Sequence, residues 1–256
     1  MTQGRLQDKV IVVAGGGSGI GAATALRLAT EGARVVVGDL RAEAAEAVAG
    51  RIVSAGGTAV ATGFDIAEDD SVAGLVALAV STWGGLDGIH INAADLQVIL
   101  RDSDILDEPL EVLDRTLQVN LRGHVLCVRH AVPELLRRGG GAIVHTSSGA
   151  AHAGDPERPA YAMSKAAIHA LARHVASRWG KQGIRANVIC PGLVLTDAIR
   201  QGMNETLRKY ALAGCRTPRL GEPEDIAAMV AMLLSPDAEW ISGQIISVDG
   251  GATMRP

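Results

Sequence analysis

Seven short apolar runs, separated by helical patterns, constrain this chain more than any other feature. They are Val10–Ala14, Ala33–Gly38, Thr58–Phe64, Gly88–Asn92, Ala142–Thr146, Arg185–Ile189 and Gln244–Val248. Several are apolar at nearly every position rather than at every second one, the pattern of a strand covered on both faces. Between them, Ala42–Ala55, Ser71–Trp83 and a long stretch from Leu110 to Arg138 repeat apolar residues at helical spacing. Pro223 opens a further helix with acids in its first turn. Strand and helix in alternation predict a parallel β-sheet with helices on both faces, an α/β doubly wound fold of about seven strands. A chain of 256 residues, 48% hydrophobic and without repeat or linker, suits one domain over 1–256.

Charge and cysteine content narrow the function classes. A formal net charge of −4 argues against nucleic acid or an anionic membrane as partner. No uninterrupted apolar run reaches membrane-spanning length, and MTQGRLQDKV lacks the apolar core of a signal peptide. Cys127, Cys190 and Cys215 are odd in number and scattered, so free thiols in a reducing, cytoplasmic setting are expected, with no metal.

The first apolar run enters GGGSGIGAA, in which Gly15, Gly19 and Gly21 are spaced G-x-x-x-G-x-G. Missing side chains let backbone approach a pyrophosphate, and the following helix start offers unpaired N–H groups and a positive dipole end. A strand before, a helix after and Asp39 closing the second strand give this motif the context of a dinucleotide site. A carboxylate at Asp39 can accept hydrogen bonds from the adenosine ribose hydroxyls, and would repel a 2′-phosphate by a few kcal/mol before screening. Gly16, Gly17 and Ser18 carry no basic group to welcome that phosphate. Arg41 is the one nearby cation, read as a solvated helix-start residue. The expected cofactor is NAD rather than NADP.

Tyr161 and Lys165 stand four residues apart in a helical pattern, so both leave one face a turn apart. An ammonium about 4 Å from a phenol favours phenolate by up to ~4 kcal/mol, about 3 pKa units, which brings a tyrosine towards neutrality as a general acid/base. Upstream, GAIVHTSS reads as a strand ending in two hydroxyls, where Ser148 can hold a substrate oxygen.

With both motifs in hand, the chain resembles the short-chain dehydrogenase/reductase family, in its branch of about 250 residues, from about Asp8 to Gly251. The resemblance implies a Rossmann-type fold and a homotetramer. It implies a tetrad of Asn120, Ser148, Tyr161 and Lys165, with Ser148 chosen over Ser147 by its distance from the tyrosine. It further implies cofactor contacts from Gly15, Ser18, Gly19, Ile20 and Gly21, from Asp39 and Leu40, from Asp65 and Ile66, and from Asn92 and Ala93. Tyr161, Lys165, Pro191, Gly192, Val194 and Thr196 complete that set. Two positions depart from the family pattern: Ala14 replaces a threonine, and Ile91-Asn92-Ala93-Ala94 keeps only the second asparagine of Asn-Asn-Ala-Gly. His90 and Ile91 are expected to repack that gap.

In the implied reaction, Tyr161 exchanges the hydroxyl proton, Lys165 lowers the tyrosine pKa and binds ribose, Ser148 holds the reacting oxygen, and Asn120 supports a proton relay. The substrate is expected to be a small alcohol or ketone covered by residues 197–221, whose Met203, Leu207 and Leu212 suit something hydrophobic and cyclic or steroid-like. His152 is read either as a substrate contact or as a solvated loop residue. His145 is expected to be a hydrogen-bonded core histidine, His124 and His130 to have no chemical role, and Cys190 to pack. Two other functions compete: an NADPH-dependent 3-oxoacyl-thioester reductase, which Asp39 disfavours, and a non-catalytic dinucleotide-binding regulator, which the intact Ser148, Tyr161 and Lys165 disfavour.

Overall fold

The computed structural model describes residues 4–254. Its strands are β1 (Val10–Ala14), β2 (Arg34–Asp39), β3 (Thr58–Gly63), β4 (Gly88–Ile91), β5 (Gly141–Thr146), β6 (Ile184–Pro191) and β7 (Ile245–Val248). They form one sheet in the order β3-β2-β1-β4-β5-β6-β7, every neighbouring pair parallel. The helices are α1 (Gly19–Thr30), α2 (Ala42–Ser54), α3 (Asp69–Trp83), α4 (Leu110–Leu117), α5 (Gly123–Arg137), α6 (Pro159–Trp179), α7 (Asp197–Gly202), α8 (Glu205–Gly214) and α9 (Pro223–Leu234). The predicted α/β doubly wound fold is the one observed, and its seven strands fall within a residue or two of the expected runs, β6 alone running two further to Pro191.

Because the strands are apolar on both faces, the sheet carries two separate cores. Val12, Leu75, Ile89, Leu135 and Ile168 pack on one face; Ile11, Val13, Leu28, Ile52 and Val230 pack on the other. Alternate residues of β1 therefore feed opposite layers, as the two-residue period of a strand dictates.

The strand order reverses direction between β1 and β4. Register pairs Ala14 with Gly38 of β2 and with Ile91 of β4, so three strands end at one level. Loops leaving that carboxyl edge diverge there and open a crevice, the usual ligand position in such sheets.

Two helix starts set the geometry of the crevice. α6 begins at Pro159, whose fixed φ suits a first helical position. Its free amides at Ala160 and Tyr161 donate to the buried Asp102 carboxylate, at 3.3 and 2.7 Å. The long predicted helix from Leu110 to Arg138 is interrupted: Gln118–Arg122 forms a π-turn between α4 and α5. The wider turn carries Asn120 at its centre, fully buried, an irregularity typical of functional positions.

Candidate active site

The glycine turn follows β1 directly. Gly15 adopts φ +87°, a left-handed conformation that costs glycine little, and a side chain there would strike the Ala93 backbone at 2.6 Å. A Cβ on Gly21 would lie 1.9 Å from the Gly15 carbonyl, so only glycine lets α1 begin this close to the strand. Ser18, at the N-cap of α1, makes no side-chain cap, and the first turn holds no acid. The leading amides of α1 therefore keep their donors for an anionic group. A bare backbone cradle, open amides and no acid in the first turn of α1 fit a dinucleotide pyrophosphate.

Asp39 stands at the end of β2 and is fixed by backbone. Its Oδ2 accepts from Gly17 N–H at 2.8 Å and its Oδ1 from Arg41 N–H at 3.1 Å. Each oxygen keeps a lone pair for a ribose hydroxyl. Leu40 beside it is exposed, as is Arg41. Asp65 stands beyond β3, partly buried, with Oδ1 accepting from Ala67 N–H at 2.9 Å. The Ile66 side chain lies in the core, packed against Gly123.

The substitutions at Ala14 and Ile91 leave the centre of the sheet intact. Asn92 donates from Nδ2 to the Gly15 carbonyl at 3.0 Å, while Asn92 and Ala93 N–H both reach the Ala14 carbonyl at 2.9 Å. His90 and Ile91 are fully buried, as the repacking requires. Across the crevice, Thr196 caps α7, and its methyl is what a Gly19 side chain would meet at 2.9 Å. Val194 bridges to Gly221, and Gly192 sits too close to Asp249 for any Cβ.

Of the two hydroxyls after β5, only one points to the tyrosine. Ser147 Oγ donates to the Lys165 carbonyl at 3.0 Å and meets His169 Nε2 at 2.8 Å, which turns it into the body of α6. Ser148 stands by the Tyr161 phenol, where its hydroxyl favours the phenolate, and accepts from Ala150 N–H at 3.2 Å. Lys165 Nζ lies 5.7 Å from the Tyr161 ring centroid and donates to the Thr146 carbonyl at 3.0 Å. Asn120 faces the same space: Oδ1 accepts from Asp95 N–H at 3.0 Å, and Nδ2 reaches Ser164 Oγ at 3.4 Å.

Burial governs the electrostatics of this pair. Burial raises the Tyr161 phenol above its ordinary value, with the Ser148 hydroxyl and Arg158 offsetting this only in part. Lys165 is itself pushed down to about 8 by burial. Lys165 Nζ, 5.7 Å from the ring and turned to the Thr146 carbonyl, does not offset this burial, so desolvation of the phenol dominates.

Asp102 escapes a sequence reading. It holds the first turn of α6, and with it Tyr161, from 59 residues away, and nothing near it in the chain signals that contact. A cluster of histidines is equally hidden. His124 and His145 stack with Nδ1 atoms 3.0 Å apart, and His90 Nε2 meets Thr146 Oγ1 at 2.8 Å. His145 is the hydrogen-bonded core residue expected, and His124 proves to be its buried partner. His130 pairs with Asp69 on an exposed face. His152 is half-buried and converges with His169 and Cys190.

Fold and site together define a Rossmann-type oxidoreductase that uses a nicotinamide cofactor. A family model described as enoyl-(acyl carrier protein) reductase matches residues 14–253. A probable short-chain type dehydrogenase/reductase of Bradyrhizobium diazoefficiens is 43% identical over 248 residues, 97% of this chain and 88% of the relative. A cyclohexanol dehydrogenase of Acinetobacter sp. is 36% identical over 98% of this chain and 97% of its own. Among solved structures, a 7α-hydroxysteroid dehydrogenase complexed with NADH and 7-oxo glycochenodeoxycholic acid superposes with a TM-score of 0.91. It is 35% identical and covers 98% of this chain and 96% of its own. The chain belongs to the short-chain dehydrogenase/reductase family, oxidoreductases of CH–OH groups. Among the described residues no helix is long and apolar enough to cross a membrane.

Proposed function

We propose that the protein is an NAD-dependent dehydrogenase of secondary alcohols carried on a hydrophobic ring, working reversibly on the matching ketones. The observation that carries this reading is the meeting of the Ser148 and Tyr161 hydroxyls above Lys165, across from the glycine turn. The nicotinamide supplies the hydride acceptor and, when oxidised, a positive charge that favours phenolate.

In oxidation Tyr161 Oη takes the alcohol proton, and Ser148 Oγ donates to the reacting oxygen, holding it as charge develops. Lys165 binds the nicotinamide ribose and stabilises the phenolate, returning the tyrosine towards neutrality. Asn120 positions water beside Lys165, so that the proton leaves through a relay; its grip on Asp95 keeps that space shaped. Gly15, Ser18, Gly19, Ile20 and Gly21 hold the pyrophosphate; Asp39 and Leu40 hold the adenosine. Asp65, Ile66, Asn92 and Ala93 line its far side, while Pro191, Gly192, Val194 and Thr196 hold the carboxamide end. Asp39 favours NAD over NADP.

Substrate specificity is assigned to the apolar side chains at the mouth. Leu96, Leu100, Ile105 and Leu106 in the loop after β4 are exposed, as are Leu207 and Tyr210 of α8. The cyclohexanol and hydroxysteroid dehydrogenases among the relatives support a ring-bearing alcohol. Residues 1–256 would act as one domain, with 197–221 over the substrate, as a cytoplasmic homotetramer.

The test is NADH formation across aliphatic, cyclic, steroidal and hydroxyacyl alcohols, with Tyr161→Phe as control. Turnover on ring alcohols that rises from neutral to alkaline pH and falls about 10²- to 10⁴-fold in the variant is expected. A flat pH profile, or a variant as active as the parent, would overturn the assignment of Tyr161.

A further inference from the structure

Three side chains from three elements converge behind the catalytic serine. Cys190 lies on β6 and His169 on α6, both buried; His152 ends the short turn Gly149–Ala151 that follows Ser148. Cys190 Sγ stands 3.5 Å from His152 Nε2 and 3.6 Å from His169 Nε2, and the imidazole centroids are 5.0 Å apart. One ligand atom from each residue lies within 4.8 Å of the other two.

We infer that His152, His169 and Cys190 form a three-ligand site for zinc. Zinc–sulfur and zinc–nitrogen bonds of about 2.3 and 2.0–2.1 Å at tetrahedral angles place sulfur about 3.5–3.6 Å from each nitrogen. Both sulfur–nitrogen edges already have that length. Only the edge between the imidazoles has to close, by rotation of His152, the half-buried member at the end of a turn. The donor set, one thiolate and two imidazoles, suits zinc over calcium or magnesium, which take oxygen.

The surroundings favour the ligating forms. Lys165 interacts electrostatically with Cys190 and so supports the thiolate over the thiol. On binding, the thiol proton leaves to solvent and sulfur donates its pair to the metal. His169, whose Nε2–H donates to Ser147 in the metal-free chain, shifts to the tautomer with its one proton on Nδ1, so that Nε2 can ligate in place of its 2.8 Å contact with Ser147, whose hydroxyl retains the Lys165 carbonyl. With three protein ligands a fourth position stays open to water. Because His152 is four residues beyond Ser148, an occupied site pins the turn that carries the serine.

This site goes beyond the proposed dehydrogenase reading and does not depend on it, since its test reads metal rather than turnover. The full chain, stripped with a chelator, is titrated with Zn²⁺ against a chromophoric chelator, and separately loaded with Co²⁺. One equivalent should bind, with the visible bands of tetrahedral cobalt and a sulfur-to-cobalt charge-transfer band. Cys190→Ser should abolish that band. His152→Ala, a change on a half-buried turn that leaves the core alone, should weaken zinc about a hundredfold, at or beyond the loss usual for an outer-shell partner. His130→Asn and Cys215→Ser should leave affinity unchanged. Binding that survives both ligand variants, cobalt spectra without the sulfur band, or no stoichiometric binding would each overturn the site.

Discussion

From β1 to β3 the crevice is lined by backbone; from β4 to β6 it is lined by buried polar side chains. Among the described residues, Thr24 is the one buried polar side chain before β4, whereas His90, Asn120, His124, His145, Ser147, Lys165 and His169 all follow it. The first half needs closeness, which glycine supplies, and two anchored carboxylates. The second half needs proton-bearing groups, and these must be desolvated and paired with one another. Each design fails in its own way, which gives four tests of the contrast.

Gly21→Val is the harshest. With the Gly15 carbonyl only 1.9 Å from the position of a Cβ, α1 must move. A loss of about 3 kcal/mol is expected, at the upper end of overpacking costs, together with loss of NADH binding, read by thermal melting and nucleotide fluorescence. A variant that melts and binds like the parent would show that the cradle is soft.

Asp39→Ser should leave the melting curve alone and shift the ratio of NADH to NADPH affinity by roughly ten- to hundredfold, about 1.4–2.7 kcal/mol. Direct titration of both nucleotides measures it, and an unchanged ratio would remove Asp39 from cofactor selection.

The histidine stack should respond to acid. Burial holds His90 and His145 down to about 3 from 6.5, and holds His124 well below its ordinary value for the same reason. The unfolded chain therefore binds more protons than the native one between about pH 6.5 and 3. The stability these neutral imidazoles contribute is complete above 6.5 and is lost as pH falls through that window. Each should contribute a loss of about 1 kcal/mol between pH 7 and 5.5. His145→Asn should reduce that pH-dependent loss by one such share in denaturant titrations at the two pH values, whatever it does to stability at pH 7. Equal slopes would mean that the stack is hydrated.

Leu207→Ala is the mildest. The side chain is half exposed on α8, so stability should move by less than about 0.5 kcal/mol. A several-fold rise in KM for ring alcohols, with kcat unchanged, is the expected kinetic signature.

The contrast also explains which parts were legible in the chain itself. Strand positions follow from composition alone, because a strand covered on both faces is apolar throughout. Gly15 and Asp39 are readable because each acts within one β-α-β unit. Tyr161 and Lys165 are readable because one helical turn joins them. Asp102 is not, since it meets α6 across 58 and 59 residues. Nor is the convergence of His152, His169 and Cys190, because the loop after β5, α6 and β6 bring them together only in three dimensions. The π-turn at Asn120 hides inside an unbroken helical pattern: its sequence carries no proline or glycine pair to mark it. Residues 197–221 look irregular for the opposite reason. Asn204 and Thr196 cap two short helices there, and neither buries a residue, so the apolar Met203, Leu207 and Leu212 have no core that would mark out the helices.

The short bridge between Val194 and Gly221 closes this last segment at its base, reinforced by Leu195 N–H to the Gly221 carbonyl at 2.8 Å. The chain from Leu195 to Leu220 leaves and returns at one point beyond the end of β6, with a second tie where Arg216 and Thr217 N–H donate to the Gly250 carbonyl at 2.8 and 3.1 Å. Loop-closure entropy grows only slowly with length, about 0.6 kcal/mol per doubling. Such an insert is built as a cassette, whose length can change at small cost while the register of β6 and β7 stays fixed. New substrate ranges are then reachable by transplanting one stretch of chain, without renegotiating the core.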